Sequence, residues 1–158
     1  MSRLTTAAAI ATLVLAGSLG VVRTHAHEDH GTFSAGEPGN PKKPARVVQI
    51  IMGEGDGKMM FVPDRVEIKR GEQVRFKLRN NGELDHEFIL ATMEENRKHA
   101  EAMKKNPDME HDDPNGKRLA PKKNNEIVWK FTKTGTFEYG CLIPGHREAG
   151  MIGTVIVK

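Results

Sequence analysis

The stretch Tyr139-Gly-Cys-Leu-Ile-Pro-Gly-His-Arg-Glu-Ala-Gly-Met-Ile-Gly153 sets Cys141, His146 and Met151 at five-residue steps on a short loop between two strand-like runs. These residues offer a soft thiolate, an imidazole and a thioether. One more imidazole completes the His₂Cys set with a weak axial Met that a mononuclear electron-transfer copper site uses. His86, within Asp85-His-Glu-Phe-Ile-Leu90, is the candidate for that position. The four residues are therefore expected to form one type 1 copper site.

The rest of the composition is consistent with this reading. The 158 residues suffice for one domain and include a single Cys, so no internal disulfide can form. A free thiol in an exported chain is open to oxidation and wrong pairing, and metal ligation is one condition that makes it useful. The alternative, a small buried hydrophobe, sits badly in a loop flanked by Gly and Pro. Export is expected because Arg3 precedes an apolar run from Leu4 to Val22, followed by small residues around Thr24-His25-Ala26. That is the pattern of a secretory signal peptide spanning 1–26. An uncleaved anchor is the alternative, and Thr, Ser and Gly interrupt the run it would need. No twin Arg is present, which favours general secretion. Cleavage would remove Arg3 and Arg23 and leave 22 basic against 21 acidic residues, a net charge of about +1. Nucleic acid is thus not an expected partner, nor is a membrane after cleavage, and the expected location is periplasmic.

Along the chain, residues 27–45 open with His27-Glu-Asp-His30, continue Gly/Pro/Lys-rich without apolar periodicity, and read as a flexible tail. From 46 onward the pattern is strand-like. Val47–Met52, Met59–Val62, Val66–Lys69, Gln73–Arg79 and His86–Leu90 are separated by Gly/Asp/Asn turns, among them Gly53-Glu-Gly-Asp-Gly57. In Gln73–Arg79, Val74, Phe76 and Leu78 should face inward, the alternation of a half-buried antiparallel strand. An insert at about 92–125 breaks this rhythm. Thr92-Met-Glu-Glu95 can cap a helix, Asn106-Pro107 stops it, and Asp108–Asn125 should be loop. Strands return at Glu126–Thr132, Thr136–Tyr139 and Gly153–Lys158. About eight short strands with one helix predict an all-β sandwich over 46–158.

This domain resembles a cupredoxin. The likeness rests on Cys141-x4-His146-x4-Met151 with Pro144-Gly145 and Gly150, and on Phe61-Val-Pro63, Gly71-Glu-Gln-Val-Arg-Phe76 and His86. The insert with Met109-Glu-His111-Asp-Asp-Pro-Asn115, together with Glu126-Ile-Val-Trp-Lys-Phe131, is similar to the CopI-type periplasmic copper-tolerance proteins. The resemblance implies a Greek-key β-sandwich, equatorial His86, Cys141 and His146, and axial Met151. Many cupredoxins place an Asn after the first His to tie the ligand loops together; Glu87 stands here, which is expected to soften the geometry and move the colour from blue toward green. His146 is the ligand expected to be exposed, within an apolar patch of Leu142, Ile143, Pro144, Ala149 and Ile152 where a redox or copper-handling partner would dock.

Further His and Met residues raise the question of auxiliary copper. His27 and His30 form a short His/acid tract, His99 and Met103 share a helix face, and Met109 and His111 follow. The competing reading makes the tract a solvated tail and packs Met93 and Met103 against the sandwich. Of Met59 and Met60, which point to opposite sides of a strand, at least one is expected in the core. A dinuclear copper centre would want a second Cys where Gly145 stands, and a multicopper oxidase would flank Cys141 with His rather than Gly140 and Leu142. An enzyme is accordingly not expected. Two functions remain open: copper tolerance in the exported space, and one-electron carriage between redox proteins.

Overall fold

In the computed structural model, residues 32–106 and 113–158 are described. They form ten strands and one helix: β1 (Glu37–Pro38), β2 (Arg46–Gly55), β3 (Lys58–Val62), β4 (Arg65–Ile68), β5 (Gln73–Asn80), β6 (His86–Ala91), α1 (Met93–Lys105), β7 (Gly116–Leu119), β8 (Asn124–Lys130), β9 (Gly135–Gly140) and β10 (Ile152–Val157). The strands make two five-stranded sheets, in the orders β1-β8-β5-β2-β3 and β4-β10-β9-β6-β7. This is the expected β-sandwich.

The alternating strands bury one face each. Val74, Phe76 and Leu78 of β5 point into the core, while Lys77 and Arg79 are exposed. The core is aromatic. Phe88 stacks on Tyr139 at 5.1 Å, Phe61 meets Tyr139 edge-on at 5.2 Å, and Trp129, Phe76 and Phe131 are fully buried. The Tyr139 hydroxyl, carried deep between the sheets, donates to the Pro63 carbonyl at 2.7 Å. Gly153 makes room for that ring, since a Cβ there would lie 2.0 Å from it.

Several expectations need correction. Alternation reports which face is buried and not the direction of pairing: β5 runs antiparallel to β8 but parallel to β2, and β4 is parallel to β10. Residues 32–45 are not a featureless tail. β1 pairs with β8, Phe33 packs edge-on against Trp129 at 5.2 Å, and the Gln73 side chain bonds the backbone of Asn40. The expected loop Asp108–Asn125 contains β7, which pairs antiparallel with β6. Neither Met59 nor Met60 is a core residue; Met59 is half-buried against the core and Met60 is 39% exposed on the edge strand β3.

The insert has a specific place. Thr92 caps α1 through a reciprocal bond with Glu95, as the sequence indicated. Asn96, Ala100 and Met103 form its buried face, at helical spacing. With Ile89 and Leu142, Ala100 and Met103 make a small second core. This explains why β6 is buried at every residue without alternating: the sandwich covers one face and the insert helps cover the other. Met93, in contrast, is 52% exposed and does not pack the helix down.

Candidate metal centre

The loop 141–151 joins β9 to β10, whose ladder runs up to the Gly140–Ile152 pair. Backbone bonds draw its two ends together: the Cys141 amide donates to the Met151 carbonyl at 3.2 Å, and the Met151 amide to the His146 carbonyl at 3.1 Å. Between them the His146 amide donates to Ile143 at 3.0 Å, and Gly145 and Gly150 take φ of +90° and +100°, which favour glycine. The loop thus has little freedom left. It is tied outward as well, because the Met59 amide of β3 donates to the Ala149 carbonyl at 3.1 Å.

His86 opens β6 in the same sheet and meets this loop. Its Nδ1 lies 3.3 Å from His146 Nδ1, which in turn lies 3.3 Å from Cys141 Sγ. All three donor atoms fall within 4.8 Å of one another. Met151 is fully buried and shares the main core cluster with Cys141, its backbone bonded to both Cys141 and His146. His86, Cys141 and Met151 are 0% exposed, and His146, at 9%, is the one with an edge to solvent. Two imidazole nitrogens and a thiol sulfur converging in a dry site suit a borderline-to-soft transition metal, and the residues present fit copper.

The surroundings shape the donors. Burial pushes the Cys141 thiol up to about 12, although the Glu87 and Ile143 amides work against this; the Glu87 amide donates to Sγ at 3.3 Å. The thiol is therefore protonated in the metal-free protein, and ligation displaces a proton. Burial, with the adjacent His86, pushes the His146 imidazole below its usual range. The Glu87 side chain is fully buried and neither carboxyl oxygen has a hydrogen-bond partner. Burial raises its pKa, and the charge of nearby Arg118 and the Leu142 amide offset only a part of that. Where an Asn could tie the ligand loops by its side chain, Glu87 reaches Cys141 through its backbone amide.

Two supports were not legible beforehand. Glu54, read as part of a flexible turn, accepts from His86 Nε2 at 2.7 Å. Arg147, next to His146, makes a bidentate pair with Glu138 of β9, one arm at 2.9 Å, and Asn96 of α1 donates to the same carboxylate at 3.0 Å. Arg147 and Glu138 side chains are only 13% and 7% exposed. No local motif marks either arrangement: Glu54 is 32 residues from His86, and Glu138 and Arg147 meet only once β9 and the loop are folded against each other.

The apolar surround of His146 is smaller than expected. Leu142 is 1% exposed and belongs to the second core, so Ile143, Pro144, Ala149 and Ile152 alone retain exposure. Met103 is likewise fully buried in that core, on the packing side of the two readings, while His99 is half-buried. His27, His30, Met109, His111 and the expected signal peptide lie outside the described residues. Among the described residues no helix is long and apolar enough to cross a membrane.

Comparison with known proteins agrees with this geometry. The family model for copper binding proteins of the plastocyanin/azurin family matches residues 48–158. The copper-resistant cuproprotein CopI of Rubrivivax gelatinosus is 45% identical over 134 residues, covering 85% of this chain and 78% of its own. The protein of the same name from Pseudomonas aeruginosa is 31% identical, covering 94% and 95%. Among solved structures, auracyanin B superimposes with a TM-score of 0.62 at 21% identity, over 81% of this chain and 99% of its own.

Proposed function

The chain belongs to the plastocyanin/azurin family of copper-binding proteins, and from that premise we propose that it serves copper tolerance in the periplasm, exported by the leader at 1–26. In this reading His86, Cys141 and His146 would hold one type 1 copper, with Met151 as a weaker fourth ligand. The observation that carries the site is the convergence of two Nδ1 atoms and one Sγ within 4.8 Å in a buried pocket. The bound metal supplies a one-electron Cu(I)/Cu(II) couple, softened toward Cu(I) by thiolate and thioether and supported in both states by imidazole. The chain's own part is to hold four donors nearly still and to keep water out. In this reading the protein is a copper binder and redox centre rather than an enzyme, and turnover of an oxygen or nitrite substrate by the copper-loaded protein would overturn it.

Tolerance is favoured over plain electron carriage by the likeness to named copper-resistance proteins along most of the chain. A strain lacking the protein is expected to be copper-sensitive while respiring normally; normal copper resistance with impaired electron flow would reverse the choice. Electron carriage keeps one observation in its favour. The only solvent-facing edge among the four donors belongs to His146, beside exposed Pro144 and half-exposed Ile143, a place for a redox or copper-handling partner to dock. A copper titration that follows visible absorption and total bound metal together tests for auxiliary sites at His27, His30, His99, Met103, Met109 or His111. Further copper bound without colour after the first equivalent supports them, and saturation of both signals at one copper removes them.

A further inference from the structure

The ring orientation of His86 fixes more than the position of one donor. Its Nδ1 faces His146 and Cys141, so its Nε2 points away from the centre, and there it meets Glu54 Oε2 at 2.7 Å. If Nδ1 keeps a lone pair for the metal, Nε2 must carry the proton, and that N–H donates to the carboxylate. Glu54 is itself held on several sides. It sits near the end of β2, opposite Met59 of β3, and its other oxygen accepts from the Glu83 amide at 2.5 Å and the Leu84 amide at 3.2 Å. Gly82 leaves the space for it: a Cβ at that position would lie 2.0 Å from Oε2. Asn80, fully buried, pins the same turn by bonding the Gly82 amide and the Leu84 and Leu119 carbonyls. A carboxylate has thus been built into the back of the centre, on a strand rather than on a mobile loop.

We propose that Glu54 is a positioning residue of the copper centre: its carboxylate fixes the tautomer and plane of His86 and strengthens Nδ1 as a donor, which favours Cu(II) over Cu(I). A metal-bound imidazole whose second N–H donates to a carboxylate is held in one orientation and gains basicity. The bond is charge-assisted and most of its surroundings are dry, with Glu54 only 22% exposed and His86 fully buried. The harder donor suits the oxidised metal better than the reduced one. Glu54 touches neither the metal position nor the thiolate; it acts through His86. The inference rests on His86 being an equatorial ligand.

Glu54→Gln tests it with little change of shape. A single amide oxygen can accept either from the Glu83 and Leu84 amides or from the His86 N–H, and in both cases the charge is gone. Cu(II) affinity is expected to fall about tenfold with Cu(I) affinity unchanged. That ratio raises the reduction potential by about 59 mV for a one-electron couple. The visible band should shift with it, and Glu54→Asp should recover part of the change. An unchanged potential and band in Glu54→Gln overturn the proposal. So does a lowered thermal midpoint of the metal-free protein with an unchanged potential, the mark of a residue that only latches the turn. The ligand reading fails in a separable way: retention of the intense band by His86→Gly removes it, whatever Glu54→Gln does.

Discussion

His86 and His146 bring the same atom, Nδ1, to within 3.3 Å of each other, but they stand on very different ground. His86 begins a strand that is buried on both faces, and a carboxylate from β2 holds its far nitrogen. His146 lies on the loop 141–151, keeps 9% of its surface open, and has no hydrogen bond to Nε2 among the described residues. What is fixed on its side is the neighbour. Arg147 reaches back to Glu138 on β9, and Asn96 of the helical insert joins the same carboxylate. One imidazole is held through its own ring, the other through the chain beside it. The first arrangement sets the donor's electronics, while the second leaves an edge free for contact and secures the backbone that carries it.

The strongest way to break this contrast is to remove each ring in turn. Both His86→Gly and His146→Gly are expected to abolish the intense visible band of the copper-loaded protein. Added imidazole should restore the band in His146→Gly, where the vacated space meets solvent. It should fail in His86→Gly, whose space is closed by β6, by Glu54 and by the turn that Asn80 pins. Equal rescue of the two variants would mean that the two sides do not differ in access.

The support behind His146 can be broken without touching a ligand. Arg147→Ala leaves the 7%-exposed Glu138 carboxylate buried with Asn96 as its remaining partner. Removing one member of a buried ion pair costs about 3–5 kcal/mol, read from urea unfolding of the metal-free protein. Replacing the pair together, as Glu138→Leu with Arg147→Met, should cost far less, because no charge is stranded. If the single variant is as stable as the parent, the pair does not secure the loop.

These two supports also mark where sequence reading stopped. Cys141 and His146, whose Sγ and Nδ1 lie 3.3 Å apart, stood out because they crowd one loop with Met151, and the strands of the sandwich were legible from period-two burial. Glu54 was not, since 32 residues separate it from His86 and its surroundings of Gly and Asp look like any turn. Arg147 and Glu138 are only nine residues apart, yet nothing local pairs them until β9 and the loop are folded against each other. β6 carried no alternation because α1 helps cover its outer face, so its pattern became intelligible only with the insert in place. Residues 32–45 look polar and loose, yet they lie over Trp129 and β8, where partner contacts outweigh local composition. Local chemistry was readable and long-range support was not.

A smaller change tests whether the insert contributes to the centre at all. Asn96 is fully buried on α1, and its Nδ2 donates to the Ile89 carbonyl at 3.3 Å and to Glu138 at 3.0 Å. Asn96→Ala removes both bonds, while the bidentate Arg147 continues to satisfy Glu138. The Oδ1 atom has no hydrogen-bond partner, so its loss should partly offset the cost. A destabilisation of about 1–2 kcal/mol is therefore expected. Because the helix touches the ligand loop through Leu142 and Glu148 as well, the visible band should keep its position. A shift of that band comparable to the one from Glu54→Gln would show that the insert helps to set the geometry of the copper site, and the contrast between an electronically tuned His86 and a merely anchored His146 would have to be given up.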